Sequence, residues 1–338
     1  THAPPQTMKP AAFLHLFAFL ALAAVCHAQE RPQKAPAPDW VTPIHYTAEL
    51  DNPPDTLSSG TWYLAYSEQI NHVADQSHFH FALKVVNQTG VEDASTITID
   101  FNPSFETFSL NRLRVLRDGE ELDRLDTQKI EILRPETDRE RLVYSNSLQA
   151  HLILEDIRVG DIIEYAYTLA GSNPVLDGHL DYTISTQWSV PLAYQHATVI
   201  VDADTRLVFK DHGQPIKWSA RAEHGSIRYE WEQRDPELVH YEDSVPFWYV
   251  PYAYTEITTF PSWNAVASWG AALYAEGSEL PEELKAETRR IARLDSPSEQ
   301  IIAALRFCQD EIRYTSISIG EHNYKPYPLS SVYERRFG

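Results

Sequence analysis

From Trp40 to about Tyr254 the sequence runs in short alternations of apolar and polar residues broken by turn residues, and this pattern confines the stretch to β structure. Phe79, Phe81, Leu83 and Val85 alternate with His78, His80, Ala82 and Lys84, the period of a half-buried strand. Ile97, Ile99 and Phe101 repeat that period. Asp118-Gly119 separates a strand pattern starting at Leu113 from another at Leu122, a two-residue hairpin signal. Further short runs begin at Ile130, Leu152, Ile162, Tyr182, Thr198 and Ile227. Many short strands joined by turns predict an antiparallel β-sandwich.

The pattern changes near Pro261. Ser262 can cap a helix with Val266, Trp269 and Leu273 on one stripe. Pro281 opens a second helical stretch, Glu282 to Leu294. Ser296-Pro297-Ser298-Glu299 is a capping box. The helix it starts carries Ile301, Leu305, Cys308 and Ile312 at helical spacing. This divides the chain into a β domain, 40–257, and a helical part, 258–338.

Met8 is the only methionine, so Thr1 to Thr7 are expected to be upstream readthrough. After it come Lys9, an apolar run from Ala11 to Val25, and Cys26-His27-Ala28 before Gln29, the layout of a secretory signal. Residues 1–28 are therefore expected to be readthrough plus signal peptide. Lipid attachment at Cys26 is the competing expectation, disfavoured by the branched Val25. The apolar run falls short of a membrane span, which takes about 20 residues, and no later stretch is long and apolar enough. Gln29 to Asp39, rich in Pro and Ala, is expected to be a tether. The export signal places the protein in the periplasm or outside the cell.

The formal charge of −20, with no basic cluster, argues against nucleic acid and anionic lipid as partners. No glycine-rich phosphate loop, Gly-x-Ser-x-Gly elbow or zinc-type Cys/His spacing is present, so no cofactor or metal is expected. His78 and His80 share one strand face but lack a third ligand nearby in sequence. Glu120 and Glu121 are adjacent on a strand and so point to opposite faces. Once Cys26 leaves with the signal, Cys308 is the lone thiol. Its stripe position predicts a buried small hydrophobe, not a nucleophile. The segment Ser244-Val245-Pro246-Phe247-Trp248-Tyr249, with Tyr252 and Tyr254, is expected to pack a domain interface. A groove for an extended chain or glycan is the alternative. In the loop from Ser318 to Pro328, Tyr324 and Tyr327 are expected to line a substrate cleft.

Several stretches, in chain order, carry a family resemblance. They are Val86-Asn87-Gln88-Thr89-Gly90-Val91-Glu92, Ile99-Asp100-Phe101-Asn102-Pro103, Val115-Leu116-Arg117-Asp118-Gly119, Val159-Gly160-Asp161-Ile162-Ile163-Glu164-Tyr165 and Trp188-Ser189-Val190-Pro191. Together they resemble the bacterial domain of unknown function 3857, which often precedes a transglutaminase-like core in exported proteins. Gln309-Asp310-Glu311-Ile312-Arg313-Tyr314, Ser318-Ile319-Gly320 and Arg335-Arg336-Phe337-Gly338 resemble the first part of that core. The resemblance implies a mainly β chain: an antiparallel β-sandwich, then the helical first part of a papain-like α+β core.

In that family an Arg-Arg-aromatic-Gly run leads into Asp-Cys, and the cysteine is the nucleophile of a Cys-His-Asp triad. The cysteine is then expected after Gly338, and no catalytic residue within the chain. His322 precedes the expected cysteine and so does not fit the triad histidine. A thiol at a helix N-terminus is favoured as thiolate, and a histidine oriented by a carboxylate would shuttle its proton. Acyl transfer to an amine and hydrolysis of a peptide or isopeptide bond both remain open, with a peptide or protein as substrate. The alternative is a non-catalytic periplasmic binding or assembly module.

Overall fold

A computed structural model of the chain describes residues 33–47, 53–55, 57, 59–134, 147–239, 245–246, 248–274, 280–314 and 320–338. The expected signal peptide, including Met8 and Cys26, lies outside the described residues, as do Ser244, Phe247, Ser318 and Ile319. The strands are β1 (Gln33–Lys34), β2 (Thr61–Asn71), β3 (Gln76–Val85), β4 (Thr96–Phe101), β5 (Thr107–Arg117), β6 (Glu120–Asp123), β7 (Glu131–Leu133) and β8 (Leu148–Ile153). They continue with β9 (Ile162–Ala170), β10 (Asp181–Ser185), β11 (Tyr194–Asp202), β12 (Val208–His212), β13 (Ser219–Glu223), β14 (Ser226–Arg234) and β15 (Tyr254–Thr258). A short helix, α1 (Gln88–Ala94), falls between β3 and β4.

Nine strands form one sheet in the order β1-β5-β9-β3-β2-β11-β14-β13, with β6 paired to β5. Two three-stranded sheets, β4-β8-β7 and β10-β15-β12, cover parts of one face. The first packs Ile97, Ile99, Phe101, Leu148 and Leu152 against Phe108, Leu110, Leu113, Val115 and Ile163. The second packs Ile184 and Ile257 against Ile70, Ala197, Val199 and Trp231. Among the described residues two apolar cores thus lie side by side on this face of the sheet, and a third apolar cluster, Trp62, Leu64, Ala65, Ala82, Ile162 and Tyr194, is covered by Ile44, Tyr46 and Leu57. The mainly β expectation agrees with this, but the all-antiparallel one does not: β2–β11 and β1–β5 run parallel. A parallel pair needs a long crossover, and β11 returns to β2 only after the β3–β10 segment is complete.

Alternation is corrected where the sequence would drift out of phase. A bulge in β5 between Leu110 and Arg112 keeps Leu110 and Leu113 both in the core while turning Arg112 and Arg114 to the opposite face. The Asp118-Gly119 hairpin forms as expected. Both residues have positive φ, 51° and 82°, which a two-residue hairpin of the mirror-image type requires.

The opposite face of the large sheet is polar, yet buried. The chain reaches it from the sheet edge: of the residues expected to be a tether, 33–35 run along β5, and from Trp40 the chain crosses the face. Gln33 and Lys34 pair with β5, and Trp40 Nε1 donates to Gln76 Oε1 at 2.6 Å. Gln69 and Thr42 exchange two 2.8 Å hydrogen bonds, satisfying both ends of a side-chain amide that is 1% exposed. Arg228 Nη2 donates to Trp40 O at 2.8 Å.

Beneath this strap Glu164 accepts hydrogen bonds from Tyr46 (2.8 Å), His80 (2.9 Å), Arg112 (2.7 Å) and both Nε and Nη2 of Arg114 (2.9 and 2.7 Å). Burial pushes the Glu164 carboxyl up, but the contacts with His80, Arg112 and Arg114 outweigh it and hold it well below the usual carboxylate range. His78 Nδ1 meets Thr168 Oγ1 at 3.0 Å. Both histidines of that strand are therefore engaged in the sheet.

On the apolar face Glu68 is also buried, but it meets only hydroxyls. Tyr66 and Tyr182 each donate to its Oε2 at 3.2 Å. Burial pushes its carboxyl up from 4.5 to about 7, and the two hydroxyl bonds only partly oppose this.

Two expected outcomes follow. Gly60 and Gly90 meet backbone to backbone, and a Cβ on Gly90 would lie 1.8 Å from Gly60 O. Gly90→Ala is expected to cost more than about 2 kcal/mol in urea unfolding; wild-type stability in the variant would refute that contact. Glu68 has a folded pKa above its unfolded one, so its contribution is complete below the unfolded value and is lost as pH rises through the folded value. Stability should therefore fall between about 4.5 and about 7 by a component that Glu68→Gln removes. Parallel unfolding midpoints for the two proteins across that window would show Glu68 to be ionised in the fold.

Candidate functional site

After β15 the chain turns helical: α2 (Trp263–Tyr274), α3 (Glu282–Ala292), α4 (Pro297–Glu311) and α5 (Leu329–Arg335), with a 3-10 turn at Gly320–Asn323. The expected caps are present. Ala265 N donates to Ser262 Oγ at 3.3 Å. Glu299 N donates to Ser296 Oγ at 3.3 Å while Ser296 N donates to Glu299 Oε2 at 3.1 Å, completing the capping box.

This part is fixed to the β domain through a chain of rings. His179 stacks on Phe260 at 3.9 Å, Phe260 meets Trp269 at 5.5 Å, and Trp269 meets Tyr324 edge-on at 5.4 Å. Trp269 Nε1 donates to Val175 O at 2.8 Å, and Asn173 Nδ2 donates to Gly320 O at 2.9 Å. Tyr324 thus belongs to the junction. Tyr327 stacks on His322 at 3.7 Å and lies under the Arg335 guanidinium, 5.5 Å from its ring centre.

Neither tyrosine lines the largest cavity of the described residues. That cavity, of about 1030 Å³, lies between α3, α4 and α5 and is walled by Leu284, Ile291, Phe307, Ile312, Leu329 and Val332. Its base is set by pairing between two distant stretches. Arg313 N donates to Arg336 O at 2.8 Å, and Gly338 N returns to Arg313 O at 3.0 Å. Arg336 takes a left-handed conformation, φ 60°, to leave α5, and its guanidinium lies 4.1 Å from the Tyr333 ring centre. Gly338 fits closely: a Cβ there would come within 2.8 Å of Val332.

Cys308 corrects the expectation of a buried thiol. It is exposed, as are Ile301 (68%) and Leu305 (54%) on the same stripe. The stripe spacing was right, but among the described residues nothing covers that face. A mid-helix thiol also has no unpaired amides beside it, so exposure alone does not make it a nucleophile.

The β domain also holds a Ser–His–Glu chain that no sequence motif signals. Parallel pairing of β2 and β11 sets Ser67 opposite His196, and Ser67 Oγ lies 2.9 Å from His196 Nδ1. His196 Nε2 lies 3.0 Å from Glu230 Oε1. Burial pushes the imidazole below its ordinary value, against the pull of Glu230. The neutral ring then donates from Nε2 to Glu230 and accepts the Ser67 hydroxyl at Nδ1. Ser67 is fully buried in mid-strand, where β2 is paired on both sides and offers no unengaged amides to receive an oxyanion. The arrangement satisfies buried polar groups and is not a hydrolytic triad. Among the described residues no group of three or more His, Cys, Asp or Glu is placed to hold a metal ion.

The aromatic segment expected at a domain interface is also corrected. Trp248 is 71% exposed and Tyr249 50% exposed, so neither is covered by the helical part.

No curated protein matches the sequence. Among solved structures the fold resembles a "putative protease" from Parabacteroides distasonis ATCC 8503, with a TM-score of 0.65 at 17% identity. The match covers 82% of this chain and 56% of that one, so the chain spans little more than half of its structural neighbour. Legionella pneumophila aminopeptidase A in complex with aspartic acid matches at a TM-score of 0.33 and 12% identity, over 60% of this chain and 22% of that one. An M1 zinc metallopeptidase from Deinococcus radiodurans matches at 0.31 and 12%, over 58% and 42%. Similarity at these last two levels carries no argument about this chain. The family described as "Domain of Unknown Function with solved-structure structure (DUF3857)" matches residues 74–239, from just before β3 to just past β14, a little under half of the chain.

Proposed function

We propose that the chain is the leading part of an exported protease-like protein of transglutaminase type, in which the DUF3857 domain carries a papain-like core that begins at the helices. The observation that carries this reading is the pairing of Arg313 with Phe337 and Gly338. It joins the two stretches, Gln309–Tyr314 and Arg335–Gly338, that separately resemble the entry to such an active site. Together they form the floor of an apolar cavity of about 1030 Å³. A helix following Gly338 would enter at the edge of that cavity and cover exposed apolar side chains. A cysteine at its start would meet the unpaired amides that favour thiolate. The similarity in fold to the Parabacteroides protein supports the same architecture.

In this reading the described residues supply no catalytic group. α3, α4 and α5 form an apolar wall, and Arg335 and Arg336 hold the turn that aims the next residues. Hydrolysis of a peptide or isopeptide bond is the proposed reaction, with export to the periplasm as its setting.

The test uses the gene product extended past Gly338. Changing the cysteine after Gly338 to Ala should reduce peptide hydrolysis about a thousandfold, while leaving the unfolding midpoint in place. Hydrogen exchange supplies a second readout that does not depend on substrate. Amides from Ile301 to Ile312 should be better protected in the extended protein than in the chain ending at Gly338. Hydrolysis that survives the cysteine change ends the proposed chemistry. Equal exchange in both proteins ends the proposed completion of the core.

A further inference from the structure

A second surface, on the β domain, sets exposed aromatic rings beside two adjoining cavities. Two contiguous cavities of about 490 Å³ each share Gln187, Glu237, Trp248, Tyr249 and Pro251. Their floor is rigid. Ala253 is buried, accepts from Thr186 N at 2.9 Å and donates to Gln187 Oε1 at 2.9 Å, tying the aromatic segment to the end of β10. His212 stacks on Tyr254 at 4.3 Å, nearly parallel, and its Nε2 lies 2.9 Å from Glu256 Oε2. Gly213, at φ +99°, lets the end of β12 press against Ala253, where a Cβ would come within 2.6 Å of the alanine side chain. On the other side Val239 N donates to Trp188 O at 2.9 Å.

Against this fixed floor the tip of the segment leaves its rings in water. A turn closed by Tyr249 N to Pro246 O, 2.9 Å, holds Trp248 and Tyr249 at 71% and 50% exposure. A segment anchored at its base that leaves a tryptophan uncovered gains nothing in folding from that ring, and exposed aromatics of this kind mark binding surfaces. The polar groups lining the same space are mostly uncharged. Gln187 and Gln214 offer side-chain amides, His212 an imidazole and Glu237 a carboxylate.

We propose that the groove beside Trp248 binds a neutral oligosaccharide, with Trp248 and Tyr249 against the C–H faces of successive pyranose rings and the amides and Glu237 against their hydroxyl rims. Amides both donate and accept, which suits hydroxyls. The carboxylate and the formal charge of −20 disfavour an anionic glycan. An extended peptide would call for a run of free backbone groups along the groove. The main-chain N–H groups of Val239, Tyr249 and Ala253, which line it, are instead already bonded, to Trp188 O, Pro246 O and Gln187 Oε1. The site stands apart from the cavity of the proposed protease-like core, so either assignment can fail without the other.

The test is calorimetric titration of the full chain with chitohexaose and cellohexaose, followed in parallel by 19F spectra of protein carrying 5-fluorotryptophan. At least one hexasaccharide should bind and shift a single indole resonance, the one missing from Trp248→Ala. That variant should bind about tenfold more weakly, the equivalent of one lost aromatic contact, with an unchanged unfolding midpoint. Absence of heat and of any shift with both sugars at millimolar concentration overturns the proposal. So does wild-type affinity in Trp248→Ala, or a shift of the Trp248 resonance by a polyproline peptide but by neither sugar.

Discussion

The carboxylate of Glu164 is the point on which the β domain closes. It is 1% exposed and accepts five hydrogen bonds, from β3, from two arginines of β5 and from Tyr46 of the strap. A buried carboxylate is tolerable only when fully paired, and removing one partner of such a group leaves an uncompensated charge in a poor dielectric. Each neighbour is therefore held where it is by the need of the others. Arg112 and Arg114 can reach Glu164 only because the β5 bulge turns them away from the apolar core. Tyr46 can reach it only because the strap has crossed the sheet.

The same constraint shapes the rest of that face. A row of polar side chains runs across the strands: Arg112 on β5, His80 on β3, Ser67 on β2, His196 on β11 and Glu232 on β14 stand in register or one residue row apart. In an exposed sheet such residues would face water. Here Arg112 and Glu232, at the ends of the row, stay open to water, while Ser67, His80 and His196 are buried and the neighbouring Gln69 finds its partner in the strap at Thr42. The polar interior asks for complete pairing, while the two apolar cores on the opposite face need only shape and area. Glu68, with hydroxyl partners and no cation, is the exception and remains largely protonated below about 7.

Local elements were legible because local physics sets them. The period-two runs, the Asp118-Gly119 hairpin and the Ser296/Glu299 capping box depend on residues a few positions apart. The resembling stretches also gain reasons: Gly90 allows the backbone contact with Gly60, and Asp161 accepts from Arg158 N and from two nitrogens of Arg117. The β2–β11 pairing was hidden because nothing in either strand names a partner more than a hundred residues away. The strap was hidden because Pro and Ala composition suggests a tether, whereas its attachment uses main-chain groups and the side chains of Trp40, Thr42 and Tyr46, whose partners lie far along the chain. Cys308 and Trp248 were placed inside because helical spacing and aromatic character report what a side chain prefers, not whether anything arrives to cover it. Tyr324 and Tyr327 were expected at a substrate cleft, and the rings that hold them, Trp269 and His322, could be assigned only in three dimensions.

The strap also sets an order of assembly. Trp40 is bound by Arg228, a separation of 188 residues along the chain, and Thr42 shares that arginine. The first described residues to be synthesised are thus among the last able to find their places, since their seat is not complete until β14 has joined the sheet. Until then the polar row on β2, β3 and β9 stays hydrated and the half-formed sheet lacks its cover. Contacts of this span slow folding because loop closure must precede any gain from pairing. The strap can be seated only once β14 is in place.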